Sequence, residues 1–140
     1  MKTLKIDHIG IAVENIEKAM KFYADTLGLK FEGEEVVGEQ KEKTAFFPTG
    51  DTEIELLEAT DPESPIAKFI EKKGEGVHHI AWQVGDLDAV LKELEGKGVR
   101  LITPKPRLGA GGKRVAFIHP EGTFGVLVEL TERKKTRSEG

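Results

Sequence analysis

The chain repeats itself at half its length. Asp7-His8-Ile9-Gly10-Ile11-Ala12-Val13 and His78-His79-Ile80-Ala81-Trp82-Gln83-Val84 share one order: His, Ile, a small residue, an apolar residue, any residue, Val. His8 and His79 are 71 residues apart, and Ile54-Glu55-Leu56-Leu57-Glu58 matches Val128-Glu129-Leu130-Thr131-Glu132 at an offset of 74. A duplicated unit restricts the fold to two equivalent modules that bury their apolar faces together. It also places a shared site where the two copies meet.

Hydrophobic periodicity assigns the same plan to both halves. Residues 4–13 alternate as a strand, with Ile9, Ile11 and Val13 on one face and His8, Gly10 and Ala12 on the other. Asn15 is placed to cap a helix over 16–26, which Gly28 ends. Strands are predicted at 29–37, 43–47 and 53–57, with turns at 38–40 and 48–51. Ser64-Pro65 is a strong helix start and predicts a connector helix over about 64–73, stopped at Gly74. The second half reads as a strand at 77–84, a helix over 87–95 capped by Asp86, and a strand at 99–102. A glycine-rich loop at 104–113, strands at 114–118 and 126–130 and a turn at 119–122 complete it. Each half is β-α-β-β-β. The expected fold is α+β, one domain over 1–140, with module 1 at about 4–58, module 2 at about 77–132 and a charged tail, 133–140, that frays.

Composition narrows the function. No run of ~18 apolar residues is present, so no membrane span is expected. The first residues pass straight into a strand pattern without a signal core. Cysteine is absent, which excludes disulfides and thiol catalysis and fits a cytoplasmic location. A net charge of −4 argues against a nucleic-acid partner.

Strand parity sorts the polar candidates. His78 shares its face with Ile80, Trp82 and Val84; His79 shares its face with Ala81 and Gln83. His79 is therefore the counterpart of His8, and His78 is read as packed or capping. The small neighbours Gly10 and Ala81 are expected to leave room for a ligand. Glu55 and Glu129 each lie between apolar residues, on a face turned to solvent or to a cavity. Two imidazoles and two carboxylates suit a divalent transition metal such as Co, Ni, Mn or Zn rather than Ca. An octahedral shell would leave two positions for water or a chelating substrate. His119, before Pro120, is read as structural. The cations Lys105, Arg107, Lys113 and Arg114 and their intervening glycines make either a phosphate cradle or an ordinary solvated loop.

With these residues in place, the chain resembles the vicinal oxygen chelate superfamily over residues 5–132. That superfamily includes glyoxalase I, extradiol dioxygenases, antibiotic-resistance proteins and methylmalonyl-CoA epimerase. Two stretches are similar to the epimerase branch. One is Ile54–Glu58 with Ser64–Ile70 and Gly76–Ala81. The other is Lys105–Gly112 running into Phe117–Pro120 and Gly125–Leu130. The resemblance implies an open, eight-stranded incomplete barrel with a divalent metal held by His8, Glu55, His79 and Glu129. It implies interconversion of (R)- and (S)-methylmalonyl-CoA by proton abstraction α to the thioester, through a metal-stabilised enolate, with Glu129 as both ligand and base. An acyl-CoA partner, a homodimer, and substrate contacts from Gln40, Gly111 and Gly112 go with this reading. The chain departs from the pattern at Thr44, where some epimerases carry a Glu. Threonine cannot replace it as a base; Glu42 shares its strand face. The alternatives are glyoxalase I, with the same four ligands, and a non-catalytic binding protein of the same superfamily.

Overall fold

The computed structural model describes residues 1–133. Its strands are β1 (Thr3–Ala12), β2 (Glu34–Val37), β3 (Glu42–Thr49), β4 (Thr52–Ala59), β5 (Gly76–Val84), β6 (Arg107–Leu108), β7 (Arg114–Ile118) and β8 (Val128–Glu132). The α-helices among these residues are α1 (Ile16–Met20), α2 (Pro65–Lys73) and α3 (Leu87–Gly96). The strands make one mixed sheet in the order β2-β3-β4-β1-β5-β8-β7-β6. Outward from the centre, each half runs through its first, fourth, third and second strand. The duplication in sequence is thus a two-fold relation in the sheet. β1 and β5 pair antiparallel at its middle, and each lies parallel to the last strand of its own module.

The β1–β5 ladder carries the feature that shapes the site. Ile6 faces Trp82 while His8 faces Ala81, so Asp7 is an extra residue on β1. Gly10 faces His79 while Ile11 faces Val77, so His78 is an extra residue on β5. Each slip is a β-bulge, which bends the strand and re-aims a side chain. The bulged residues occupy equivalent positions of the repeat, one before each histidine of the pair.

Side-chain caps fix the helices as the sequence predicts. Asn15 accepts from the Lys18 N–H at 2.8 Å, Ser64 from Ile66 at 3.1 Å and Asp86 from Ala89 at 3.1 Å. A second set of caps is not local. Glu58 Oε1 accepts from the Ile16 N–H at 2.7 Å, and Glu132 Oε2 accepts from the Leu87 N–H at 2.9 Å. These glutamates are equivalent in the repeat, so the last strand of each module ties down that module's first helix.

One sheet face packs on α1 through Ile16, Phe47 and Leu56 and on α3 through Leu87, Leu91 and Leu130. Fully burying such a side chain contributes roughly 1.5–3 kcal/mol. The connector helix α2 packs on the other face, where Ile66 meets Ala12 and Leu57. Pro65, at its start, lines a cavity beside the polar residues.

Several elements depart from the periodicity. The helix predicted over 16–26 is α-helical only to Met20 and continues as a π-helical stretch, Lys21–Thr26. The strand expected at 29–37 keeps only β2, because Gly33 takes φ +113° and breaks the extended run. The strand expected at 99–102 is reduced to a bridge between Leu101 and Ile118. Val99 and Leu101 serve instead as packing against the α3 core. Past the ladder-breaking Pro104 and Pro106, the loop predicted at 104–113 forms the two-residue β6 against β7. Of the tail, Arg133 is placed against Asp7; residues 134–140 lie outside the described residues.

Glu58→Ala should lower stability by about 1 kcal/mol, because it strands the half-buried Ile16 N–H. A urea midpoint that falls with an unchanged slope would report that loss.

Candidate metal centre

The central ladder brings the two modules' histidines together. His8 lies opposite Ala81, and His79 lies opposite Gly10. A Cβ on Gly10 would sit 2.4 Å from His79 Cε1 and 2.8 Å from each ring nitrogen. The small residue therefore makes room for the other module's imidazole, not for a ligand as the sequence reading expected. The rings meet edge to face, with centroids 5.2 Å apart. Their Nε2 atoms are 3.1 Å apart. Glu129 completes the group, with Oε2 3.2 Å from His8 Nε2 and Oε1 3.3 Å from His79 Nε2.

This donor set fits a metal ion. The ligand atoms of His8, His79 and Glu129 all lie within 4.8 Å of one another, and all three residues are buried. Bonds of about 2.0–2.2 Å from one ion to imidazole and carboxylate imply neighbouring ligand atoms roughly 3.0–3.4 Å apart, the spacing seen here. The bulges hold the rings in register for that role. Asp7 Oδ2 is 2.6 Å from His8 Nδ1, and His78 Nδ1 is 2.8 Å from His79 Nδ1. Engaging each Nδ1 leaves each Nε2 facing inward. Asp7 is itself held by Arg133, at 2.5 Å to Nε and 3.2 Å to Nη2. His78 packs edge to face on Phe69 of α2, centroids 5.0 Å apart.

Glu55 borders this trio without joining it. Its Oε2 accepts from the buried Lys113 Nζ at 2.6 Å and lies 3.5 Å from His8 Nδ1. Lys113 is also 3.7 Å from Asp7 and 3.9 Å from Glu53. The repeat has diverged here, since Glu129 receives the Thr131 hydroxyl at 2.5 Å in place of a lysine.

The buried carboxylates dominate the field. Burial alone would lower the His8 pKa, but Glu129 and Glu55, with the Asp7 hydrogen bond, push it up to about 10. Burial opposes ionisation of Glu129, yet His8 and His79 hold its carboxyl down to about 2. His79 is lowered, first by burial and then by the charge on His8, against the pull of Glu129. Burial would likewise raise Asp7, but hydrogen bonds from His8 and Arg133 keep it well below the usual carboxylate range. Such a group of acceptors attracts a cation, which is what a metal centre supplies.

A narrow recess runs over the trio, lined by His8, Gln40, Glu42, Glu55, Lys113 and Glu129 among others. It adjoins a cavity of about 360 Å³, with Gln40, Glu42 and His79 common to both. Phe117, Ile102 and Leu127 give the larger cavity apolar walls, and Arg107 lies on it. A hollow of about 550 Å³ beside α1 contains none of the four candidate ligands. Two hydrogen bonds draw the outer edges of the modules together over the recess. Gln40 Nε2 donates to Leu108 O at 3.3 Å, and the Gly111 N–H donates to Glu35 Oε2 at 2.8 Å.

The remaining candidates fall as follows. Gly109 and Ala110 line the recess, whereas Gly111 and Gly112 are exposed in the left-handed region, at φ +72° and +74°. The four-cation cradle does not form. Lys113 turns inward to Glu55, and Arg114 pairs with Glu132 at 2.9 Å and Asp88 at 3.0 Å. Only Lys105 and Arg107 of that set remain exposed and outside these pairs. His119 caps a turn by accepting from the Glu121 N–H at 3.0 Å. Thr44 is fully buried, and its hydroxyl has no partner among the described residues. Asp7 and Arg133 were not among the predicted site residues, and Lys113 was read only as part of a candidate phosphate cradle. The repeat held a signal for Asp7, which occupies the position of His78.

Comparisons with known proteins give the chain its family. Residues 7–117 match the family model of the Glyoxalase/Bleomycin resistance protein/Dioxygenase superfamily. The chain belongs to that superfamily. An uncharacterized Bacillus subtilis protein, YqjC, is 49% identical over 130 residues, 93% of each chain. Human mitochondrial methylmalonyl-CoA epimerase is 37% identical over 129 residues, covering 91% of this chain and 73% of that one. A variant of Streptomyces coelicolor methylmalonyl-CoA epimerase, solved with 2-nitronate-propionyl-CoA, superposes with a TM-score of 0.90 at 38% identity, covering 96% of this chain and 100% of that one.

Two outcomes follow from the site. Gly10→Ala should displace the His79 ring and weaken divalent-metal binding roughly 10- to 100-fold with the fold retained; titration calorimetry alongside circular dichroism checks this. Burial, then the Glu55 and Glu129 carboxylates, raise Glu42 from the ordinary 4.5 to about 8. Between those values the folded, metal-stripped chain holds a proton that the unfolded chain releases, so this group costs stability increasingly as pH rises. Glu42→Gln should therefore match wild type near pH 4 and exceed it in urea midpoint at pH 8.

Proposed function

We propose that this chain is a methylmalonyl-CoA epimerase that inverts C2 of its acyl-CoA substrate. The observation that carries this reading is the joint one. The chain is similar over 91% of its length to an enzyme of that name, and its histidine–glutamate trio adjoins a cavity with both apolar walls and an arginine.

His8, His79 and Glu129 would hold the divalent ion, Co, Ni, Mn or Zn, and Glu55, hydrogen-bonded to Lys113, would have to turn from that lysine to join them as the fourth ligand. When bound, the ion would polarise the thioester and carboxylate oxygens of the substrate. The chain's own residues do the rest. Asp7 and His78 keep both Nε2 atoms inward. Glu129, ionised at neutral pH, is the base that takes the C2 proton, and the C–H electron pair moves into the thioester carbonyl. Gln40 and the loop at Gly111 and Gly112 contact the acyl-CoA at the mouth. The apolar walls of Phe117, Ile102 and Leu127 keep water from the enolate. This reading takes the two modules as one domain that works as a homodimer in the cytoplasm. The last point is supported by the absence of cysteine.

In deuterium oxide, the metal-loaded chain should exchange the C2 proton of methylmalonyl-CoA and interconvert its epimers, and Glu129→Gln should lower both rates at least 100-fold. Mass spectrometry and chiral analysis of the acyl group read the two processes. Exchange no faster than in a metal-stripped control overturns the proposal; efficient isomerisation of a methylglyoxal–glutathione hemithioacetal would favour the glyoxalase alternative.

A further inference from the structure

Inversion at C2 needs a proton-transfer group on each face of the carbon. Glu129 supplies one. The other must line the same recess, lie on a different side of it, and be able to give and take a proton near neutral pH.

Few groups meet these conditions. Thr44 carries only a hydroxyl and is fully enclosed. Glu55 is held at 2.6 Å by the Lys113 ammonium. Lys113 stays charged, because Glu55 and Asp7 raise its pKa against the cost of burial. Glu39 and Glu63 line the outer cavity but are exposed.

Glu42 remains. It is buried, 6% exposed, and lines both the recess over the trio and the adjoining cavity. It projects from β3, in the first module's half of the sheet, whereas Glu129 projects from β8 in the other half. The Gln40–Leu108 and Glu35–Gly111 hydrogen bonds, made by residues shortly before it in the chain, draw those halves together. No hydrogen bond to its carboxyl acts among the described residues. Its carboxyl is therefore not tied up by another side chain and faces the space that the substrate would occupy.

We propose that Glu42 is the second proton-transfer group of this site, serving the face of C2 turned away from Glu129. The assignment rests on the epimerase reading. In one direction the Glu129 carboxylate takes the C2 proton, and the C–H electron pair delocalises into the thioester carbonyl. The Glu42 carboxyl then gives its proton to the opposite face of C2; the new C–H bond forms as the carbonyl is restored. Substrate atoms balance, Glu129 ends protonated and Glu42 ionised, and the reverse direction exchanges the roles. Burial and the Glu55 and Glu129 carboxylates hold Glu42 closer to neutrality than an ordinary glutamate, as a reversible donor requires.

The test uses the full chain loaded with Co(II), each methylmalonyl-CoA epimer separately, and deuterium oxide as solvent. Glu42→Gln keeps side-chain size and should keep wild-type metal content. Inversion should fall 100-fold or more. Deuterium should still enter C2 of one epimer, with retention, at a rate within about tenfold of wild type, because Glu129 is intact. Glu42→Asp should recover part of the inversion that Glu42→Gln loses. A merely structural role would depress exchange and inversion together, and that result overturns the assignment. So does inversion by Glu42→Gln within twofold of wild type, which leaves the epimerase reading intact. A wild-type chain that neither exchanges nor inverts overturns both.

Discussion

Everything at the site depends on one ladder, the antiparallel pairing of β1 with β5. It joins the two modules, and its register sets His8 against Ala81 and His79 against Gly10. Strands in a sheet lie about 4.8 Å apart, so residues facing one another across the ladder must share a narrow space. Two imidazoles fit only because each one's cross-strand neighbour is small. The bulges at Asp7 and His78 then supply a hydrogen-bonding group to the Nδ1 of the following histidine, which simple strand alternation would have turned to the far face.

The same ladder concentrates charge. Asp7, Glu55 and Glu129 are buried beside the histidines, with Lys113 and Arg133 drawn in against them. Taking charges out of water costs several kcal/mol per ion, and buried pairing seldom returns more than that. A hydrophobic filling would stabilise the fold at least as well. The arrangement makes physical sense as a device for attracting a cation and holding carboxylates at chosen protonation states. Its stability comes from the opposite face, where α1 and α3 cover the apolar side of the sheet.

The two halves have not remained identical. Glu55 and Glu129 are equivalent in the repeat, and their cross-strand neighbours, Phe46 and Phe117, match as well. Yet Glu55 receives a lysine and Glu129 a threonine hydroxyl. A symmetric cradle can hold a symmetric ion. Inverting a carbon requires a proton acceptor on one face and a donor on the other, so like groups must sit in unlike surroundings, and the divergence of the two halves supplies such surroundings.

The sequence alone determined the β-α-β-β-β plan, the local helix caps, and which histidine of the adjacent pair turns inward. These follow from interactions a few residues long, namely side-chain alternation, helical period and capping chemistry, and from a repeat visible by inspection. Strand 99–102 was misjudged because Val99 and Leu101 pack against the α3 core and only Leu101 makes a bridge, and the tail of the first helix keeps its helical run but widens to a π-helical turn. Only the tertiary structure decided the reach of Asp7 to His8, the inward turn of Lys113, the long-range caps from Glu58 and Glu132, and the enclosure of Glu42. Each depends on a register slip or on contacts between residues distant in the chain. A bulge shifts alternation by one residue without leaving a mark in local composition, so parity must fail for the residue that carries it.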